Sequence, residues 1–438
     1  MPPCPDYEKL FFLENILKIA RVCGPLHSCY KIVRLSCYGI FEMSTIHNKK
    51  MNHTIDSKII CKQANRSIGW PTIAKGDGDT LYAVFSGDRD CHVCPFGKVF
   101  MVRSEDKGLT WSEPKLVIDT PLDDRDSGVS VCPDGSIVVS WFTSFFADNR
   151  FHYETYYQRE NPGIGEERWS DWKRHVEAVT PEVLARWAPS YETPSDPGCQ
   201  KRWVGFWTVR SKDRGETWDE PCLSPVYTPH GPTVLPNGNL FFVGMKHFAR
   251  LDGENTIGTA LSKDQGKTWE LTATVPGFPP YRGTVPGGES RLGEPHVTAT
   301  KSGKLLAMAR YVFTQDPQHP KPIHIWQFES TDDGRTWTKP VETTITGFPP
   351  HLRTLCDGSI LATYGYRSTP YGQRACLSRD EGDTWDTSHE FLLRSDAPDS
   401  DLGYPSTVEC QDGTMITVYY QKEFSDTPPC LMATRWKR

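Results

Sequence analysis

The sequence predicts an all-β protein, a six-bladed β-propeller, and three observations carry that expectation. The pattern Ser-x-Asp-x-Gly-x-Thr-Trp recurs five times, at residues 104–111, 211–218, 262–269, 330–337 and 378–385. A strand, a turn containing glycine and a second strand precede each copy, and a sixth such hairpin follows the last one. Aromatic residues make up 12% of the chain and Gly and Pro number 35 each, which suits many turns and aromatic-rich strands rather than helical bundles. Repeated units of this kind stack because none can bury its apolar face alone.

Taken in order, the inner hairpins fall near residues 71–85, 128–142, 231–245, 295–309, 350–364 and 405–419, with turns at Gly78, Gly135, Gly238, Gly303, Gly358 and Gly413. The first five are followed by an outer hairpin that carries the box. In the box, Asp accepts backbone N–H groups, Gly supplies a turn conformation that other residues resist, and Trp covers apolar surface between units. The sixth unit ends without its box strand, and residues 57–62 can supply the missing outer strand. Closing the ring in this way removes an exposed sheet edge. The propeller is therefore expected over residues 57–438, with seven blades the alternative if the stretch interrupting unit two, residues 145–205, holds another. Within that stretch residues 180–187 read as a short helix, with Thr180 as N-cap and Pro181 in the first turn.

A length of 438 residues suits two or three ordinary domains or one repeat-built fold. Residues 1–50 show no blade pattern, and Glu14 and Lys18 interrupt their apolar run. They are read as a helical extension, or as non-native sequence upstream of a start at Met43 or Met51. The net charge of −6 argues against a nucleic-acid binder, whose footprint is basic. No run of 18 apolar residues offers a membrane span. The 14 cysteines lack the spacing of a secreted disulfide scaffold and read as core thiols, which favours a cytoplasmic location. Cys91-His92-Val93-Cys94 has no second pair at zinc-site spacing and is placed with them.

At its boxes the sequence resembles the sialidase superfamily, whose propellers carry such Asp-box (BNR) repeats, and the resemblance runs from about residue 57 onward. The boxes lie away from the active face, so function is sought where the innermost strands begin and the second strands end. Strand starts offer Asp126, His230, Glu294, His296, His351 and Tyr404, and the loops after second strands offer Asp88, Arg89, Asp90, His92, Lys246, His247, Arg310, Tyr366 and Arg367. Acids, bases, cations and a phenol aimed at one axis fit a site for a polar, anionic sugar.

Glu294 with Arg310, and Tyr404 at the head of the last unit, are similar to the family's glutamate, carboxylate-binding arginine and tyrosine nucleophile. The resemblance implies an exo-glycosidase of the α-sialidase type with a retaining mechanism. Tyr404 attacks the anomeric carbon with Glu294 as its base, Asp88 or Asp90 protonates the leaving oxygen, and Arg310 and Arg367 hold the acidic group. A neutral phenol avoids the repulsion that an anionic nucleophile meets beside a carboxylate. Arg89, Asp126, His230 and His351 are expected to bind substrate. The sequence departs from the family at its first arginine, where Gly69-Trp70-Pro71 stands, and Arg367 and Arg374 compete for the third. His92, with His230 and His351, also suits proton abstraction, so a polysaccharide lyase using histidine and tyrosine is the rival enzyme reading, and a non-catalytic glycan-binding propeller the third. Three histidines also raise a metal site, if they converge. No cofactor is implied, and the sequence is silent on oligomeric state.

Overall fold

A computed structural model of the protein describes residues 53–144, 203–246, 257–277, 290–313 and 323–438. The extension at 1–50 and the expected helix at 180–187 lie outside the described residues. Six four-stranded antiparallel sheets are arranged as the blades of a propeller, five of them running from an inner to an outer strand in chain order. Blade one comprises β2 (Ser67–Lys75), β3 (Leu81–Arg89), β4 (Lys98–Ser104) and β5 (Lys115–Ile118). Blade two holds β6 (Asp123–Val131), β7 (Ile137–Ser144), β8 (Gly205–Ser211) and β9 (Cys222–Leu223). Blade three follows with β10 (Thr233–Val234), β11 (Leu240–Met245), β12 (Ile257–Ser262) and β13 (Glu270–Thr274).

Blade four is β14 (Ser290–Ala299), β15 (Leu305–Phe313), β16 (His324–Ser330) and β17 (Val341–Thr346). Blade five is β18 (Pro350–Thr354), β19 (Ile360–Tyr366), β20 (Gly372–Ser378) and β21 (Phe391–Arg394). Blade six joins β22 (Leu402–Glu409), β23 (Met415–Gln421) and β24 (Cys430–Trp436) to β1 (Thr54–Cys61). The expected closure is thus made by β1, which pairs antiparallel with β24 from Thr54 opposite Trp436 to Cys61 opposite Leu431.

The five boxes share one geometry. In blade four, Ser330 Oγ accepts the Gly334 amide at 2.9 Å and donates to Asp332, whose carboxylate takes the amide and hydroxyl of Thr336. Two successive residues then turn left-handed, Asp333 at φ 60° and Gly334 at φ 81°. Gly334 also faces the neighbouring blade: a Cβ there would lie 2.2 Å from Phe241 Cζ. Gly382 stands in the same way against Leu306, and Gly266 against Val138. The box glycine is therefore where one blade seats on the preceding one.

Blade faces are apolar throughout. Ile68, Ala83, Val418 and Leu431 fill the seam between blades six and one, and Phe241, Val297, Ala307 and Phe328 that between three and four. Every cysteine among the described residues carries a free thiol. No helix among those residues is long and apolar enough to cross a membrane.

Candidate active site

Four inner strands share a local irregularity. Between Gly69 and Thr72, Arg125 and Gly128, Gly293 and His296, and Gly403 and Ser406, the inner strand advances one residue more than its partner. Each is a β-bulge, and bulges re-aim side chains. The residue after the first position is left-handed in all four: Trp70 at φ 50°, Asp126 at 52°, Glu294 at 49° and Tyr404 at 54°. Such backbone in a residue other than glycine costs about 1–3 kcal/mol, and it concentrates at functional sites. Three of the bulges read Gly-x-Pro in sequence, at Gly69-Trp70-Pro71, Gly293-Glu294-Pro295 and Gly403-Tyr404-Pro405.

The bulges of blades four and six bring Glu294 and Tyr404 together. The Tyr404 hydroxyl donates to Glu294 Oε1. Arg310 Nη1 donates to both carboxylate oxygens, at 2.9 Å to Oε2 and 3.2 Å to Oε1. Arg310 faces the bulge because its register partner is Gly293, and Tyr420 stands in the same place opposite Gly403. Arg367, just past β19, lies 5.8 Å from the Tyr404 ring, donates to the Tyr420 hydroxyl at 3.3 Å, and forms no ion pair with a described residue. The Phe348 ring carries both guanidinium groups, Arg310 at 4.3 Å and Arg367 at 5.0 Å. The Glu294 and Arg310 side chains keep 22% and 24% of their exposure, so the pair is open to a ligand.

Charge follows this arrangement. Burial pushes the Glu294 carboxyl up, but Arg310, the Tyr404 hydrogen bond and Arg367 outweigh it, and its pKa falls below the usual glutamate value. Burial and the Glu294 charge hold the Tyr404 phenol well above its ordinary value, against the pull of Arg310 and Arg367. A phenol so placed loses its proton only to a base already in contact with it. Asp126 is buried, and burial together with the Glu294 charge raises its carboxyl to about 7 despite Arg125 and Arg89.

The end of β3 and the loop after it are tied down by ion pairs. Asp88 pairs with Arg66 at 3.4 Å and Lys98 at 3.3 Å, and Asp90 pairs with Arg66 at 2.5 Å. Arg89 is 1% exposed and is held by Asp123 at 2.7 Å and by the carbonyls of His92 and Asp124. These pairs brace the end of β3 and the loop that follows it. His92 Nε2 meets Arg125 Nη2 at 3.0 Å, and its ring packs edge-on against Trp70 at 5.0 Å. Because a guanidinium only donates, His92 accepts there. Arg125 and Arg89 both lie over the Trp70 ring, at 4.7 and 5.0 Å.

His230, His296 and His351 do converge, with ring centroids 4.3–5.6 Å apart, and His230 is 6.2 Å from the Tyr404 ring. His296 Nδ1 accepts the Leu352 amide and His351 Nδ1 the Thr407 amide. Each must then carry its proton on Nε2, so neither offers Nε2 as a metal ligand. Among the described residues, no group of His, Cys, Asp and Glu has metal-site geometry. Burial keeps all three rings neutral, lowering His230 to about 4 and the others well below 6.5.

Lys246 turns to Thr274 in an outer strand, and His247 lies outside the described residues. Arg374 is paired with Glu390 at 2.7 Å over the Tyr366 ring, so the guanidinium beside the tyrosine is Arg367. Trp70, Arg125, Phe348 and Tyr420 also surround the site. The Gly-x-Pro triplet marks Trp70, and the register shared with Arg310 marks Tyr420. Phe348 and Arg125 leave no comparable trace.

A family described as the BNR repeat-like domain matches residues 191–418. Over 240 residues the chain is 27% identical to a xyloglucanase from Paenibacillus sp, a stretch that is half of this chain but only 20% of that protein. A protein of unknown function from Dyadobacter fermentans superposes with a TM-score of 0.66 at 20% identity, over 88% of this chain and 98% of that one. The Hadza microbial sialidase Hz136 superposes with a TM-score of 0.54 at 17% identity, over 85% of this chain and 66% of the sialidase. The repeated boxes, the six-bladed ring and a family match over more than half of the sequence agree: the chain belongs to the BNR repeat-like domain family, within the sialidase-like propellers.

Proposed function

We propose that the protein is a glycoside hydrolase that removes a terminal acidic sugar, of the exo-α-sialidase type, by a retaining mechanism with Tyr404 as nucleophile. The contact of Tyr404 with Glu294, itself held by Arg310, is the observation that carries this reading. Glu294 is ionised and in hydrogen-bond reach of the phenol it must deprotonate, which is the arrangement of an activated nucleophile and its base. Arg367, with no carboxylate partner among the described residues, supplies the charge for the sugar's acidic group, and Arg310 adds a second guanidinium beside it. With Trp70 in the first arginine position, the clamp has two guanidinium groups rather than three.

Hydrolysis is favoured over lyase chemistry by the state of the histidines. His92 already spends its Nε2 lone pair on Arg125, His296 and His351 have Nδ1 occupied by backbone amides, and burial lowers His230 to about 4, which leaves it a weak base. The test is release of sialic acid from a fluorogenic α-sialoside by the wild type and by Tyr404→Phe. Turnover by the wild type and background rates for the variant, with matching circular dichroism, are expected. Equal rates for the two proteins overturn the tyrosine mechanism. Turnover of an aryl uronoside in place of the sialoside would move the assignment to another acidic sugar.

A further inference from the structure

A retaining hydrolase needs a second group, which gives the leaving oxygen a proton and later takes one from water. Asp88, at the end of β3, and Asp90, just after it, are engaged in ion pairs with Arg66 and Lys98. Asp126 is differently placed. It occupies on blade two the same left-handed bulge position that Glu294 and Tyr404 occupy on blades four and six. Its side chain is buried, its Oδ1 has no hydrogen-bond partner, and it is near enough to Glu294 and Tyr404 for each to feel its charge.

We propose that Asp126 is the general acid and base of the reaction, an assignment that rests on the retaining-hydrolase reading. In the first step the Tyr404 oxygen bonds to the anomeric carbon and its proton passes to Glu294. The bond from that carbon to the leaving oxygen breaks, and that oxygen takes the Asp126 proton. In the second step Asp126, now a carboxylate, removes a proton from water as the water oxygen attacks the same carbon. Tyr404 leaves and recovers its proton from Glu294, so both carboxyl groups return to their starting states.

Neighbouring strands explain how the group is held. The preceding Asp124 is fixed from three sides, by the Thr120 amide at 2.7 Å, Trp141 Nε1 at 3.0 Å and Thr143 Oγ1 at 2.9 Å. The charged or titratable groups around Asp126 are Arg125 and Asp123 on β6, Arg89 on β3, Glu294 on β14 and Tyr404 on β22, and His230, ahead of β10, lies 6.2 Å from the Tyr404 ring. The Arg89–Asp123 pair is closed on itself at 2.7 Å, Glu294 is closed on Arg310, and Arg125 beside Asp126 also meets His92, so burial and the Glu294 charge outweigh the pull of the guanidinium groups on Asp126. A carboxyl in such a place keeps its proton near neutral pH, as a proton donor must.

The experiment compares wild type, Asp126→Asn and Asp90→Asn on 4-methylumbelliferyl α-sialoside and on 3′-sialyllactose. Loss of a general acid slows the substrate with the poor leaving group far more than the activated one. Asp126→Asn is expected to lower the kcat/KM for sialyllactose by about 10²–10⁴ fold, to change the first step with the aryl sialoside by less than about 10 fold, and to abolish the alkaline fall of the wild-type pH profile. Equal losses on both substrates mean a structural role and overturn the assignment. The leaving-group pattern appearing in Asp90→Asn instead also overturns it. If the wild type turns over neither substrate nor an aryl uronoside, the hydrolase reading falls and this assignment with it. Turnover lost in Tyr404→Phe but unaffected in Asp126→Asn removes only the assignment made here.

Discussion

At the bulge of blade one an indole stands where the counterparts on blades two, four and six are Asp126, Glu294 and Tyr404. Trp70 is 4% exposed and has guanidinium groups over its ring, so it shapes the wall beside the tyrosine rather than offering a free stacking face. In the proposed mechanism Glu294 has two tasks at once, accepting the proton of the Tyr404 hydroxyl that it contacts and neutralising Arg310. Glu294→Gln keeps the shape and removes both. Turnover is expected to fall by about 10²–10⁴ fold. The unpaired Arg310 charge should lower stability by about 1–3 kcal/mol, less than for a fully buried pair because both side chains keep some exposure. Steady-state kinetics and thermal melts read the two effects separately, and unaltered turnover would show that Glu294 is not the base.

Single residues of this kind act only because their strands hold them. Two devices recur around the ring, one at each end of the blades. The bulge turns a side chain toward the axis, and the box seats a blade on its neighbour. Gly334→Ala tests the second device. A Cβ there meets Phe241 at 2.2 Å and the backbone is left-handed at φ 81°. The expected loss is about 2–4 kcal/mol, from overpacking and the left-handed penalty together. Gly303→Ala is the comparison, since its backbone is also left-handed, at φ 91°, but nothing lies within 4 Å of the new Cβ. It should lose only the backbone part, about 1–2 kcal/mol. Equal melting temperatures for the two variants would mean that blades do not seat through the box glycine.

Across the whole molecule the axis gathers groups whose ionisation opposes folding in opposite directions. His230 is lowered to about 4 by burial, so its folded form stays neutral where the unfolded chain takes a proton. Its contribution is fully present above about pH 6.5 and is lost as pH falls through about 4, roughly 3 kcal/mol in all. His296 and His351 act in the same direction. Asp124 and Asp126, raised to about 7, do the reverse: their contribution is present below about pH 4 and is lost as pH rises through about 7. The wild-type curve mixes the two, so the informative quantity is a difference. Between pH 7 and pH 4, His230→Gln should gain roughly 3 kcal/mol relative to the wild type in denaturant titrations. A pH-independent difference would show that His230 takes up its proton as readily in the folded protein as in the unfolded chain, and would overturn the neutral buried ring.

The repeat, and with it the blades, is legible in the sequence. The box is local: a serine, an aspartate, a glycine and a threonine within eight residues bond to one another, so each copy declares its turn wherever it lies. Six hairpins at regular spacing, with one strand missing at the end and one spare at residues 57–62, imply the ring that β1 closes. The axis was legible only as a set of candidates. Glu294, Arg310 and Tyr404 could be named from blade position, but Asp88, Asp90 and Arg89 sit at equally suitable places in the chain and are drawn into ion pairs with Arg66, Lys98 and Asp123. Which candidates meet at the axis is not written locally, because burial, charge pairing and ring contact depend on residues from different blades. The axial site is assembled from side chains more than a hundred residues apart, Glu294 and Tyr404 among them, and no local pattern records which of them meet.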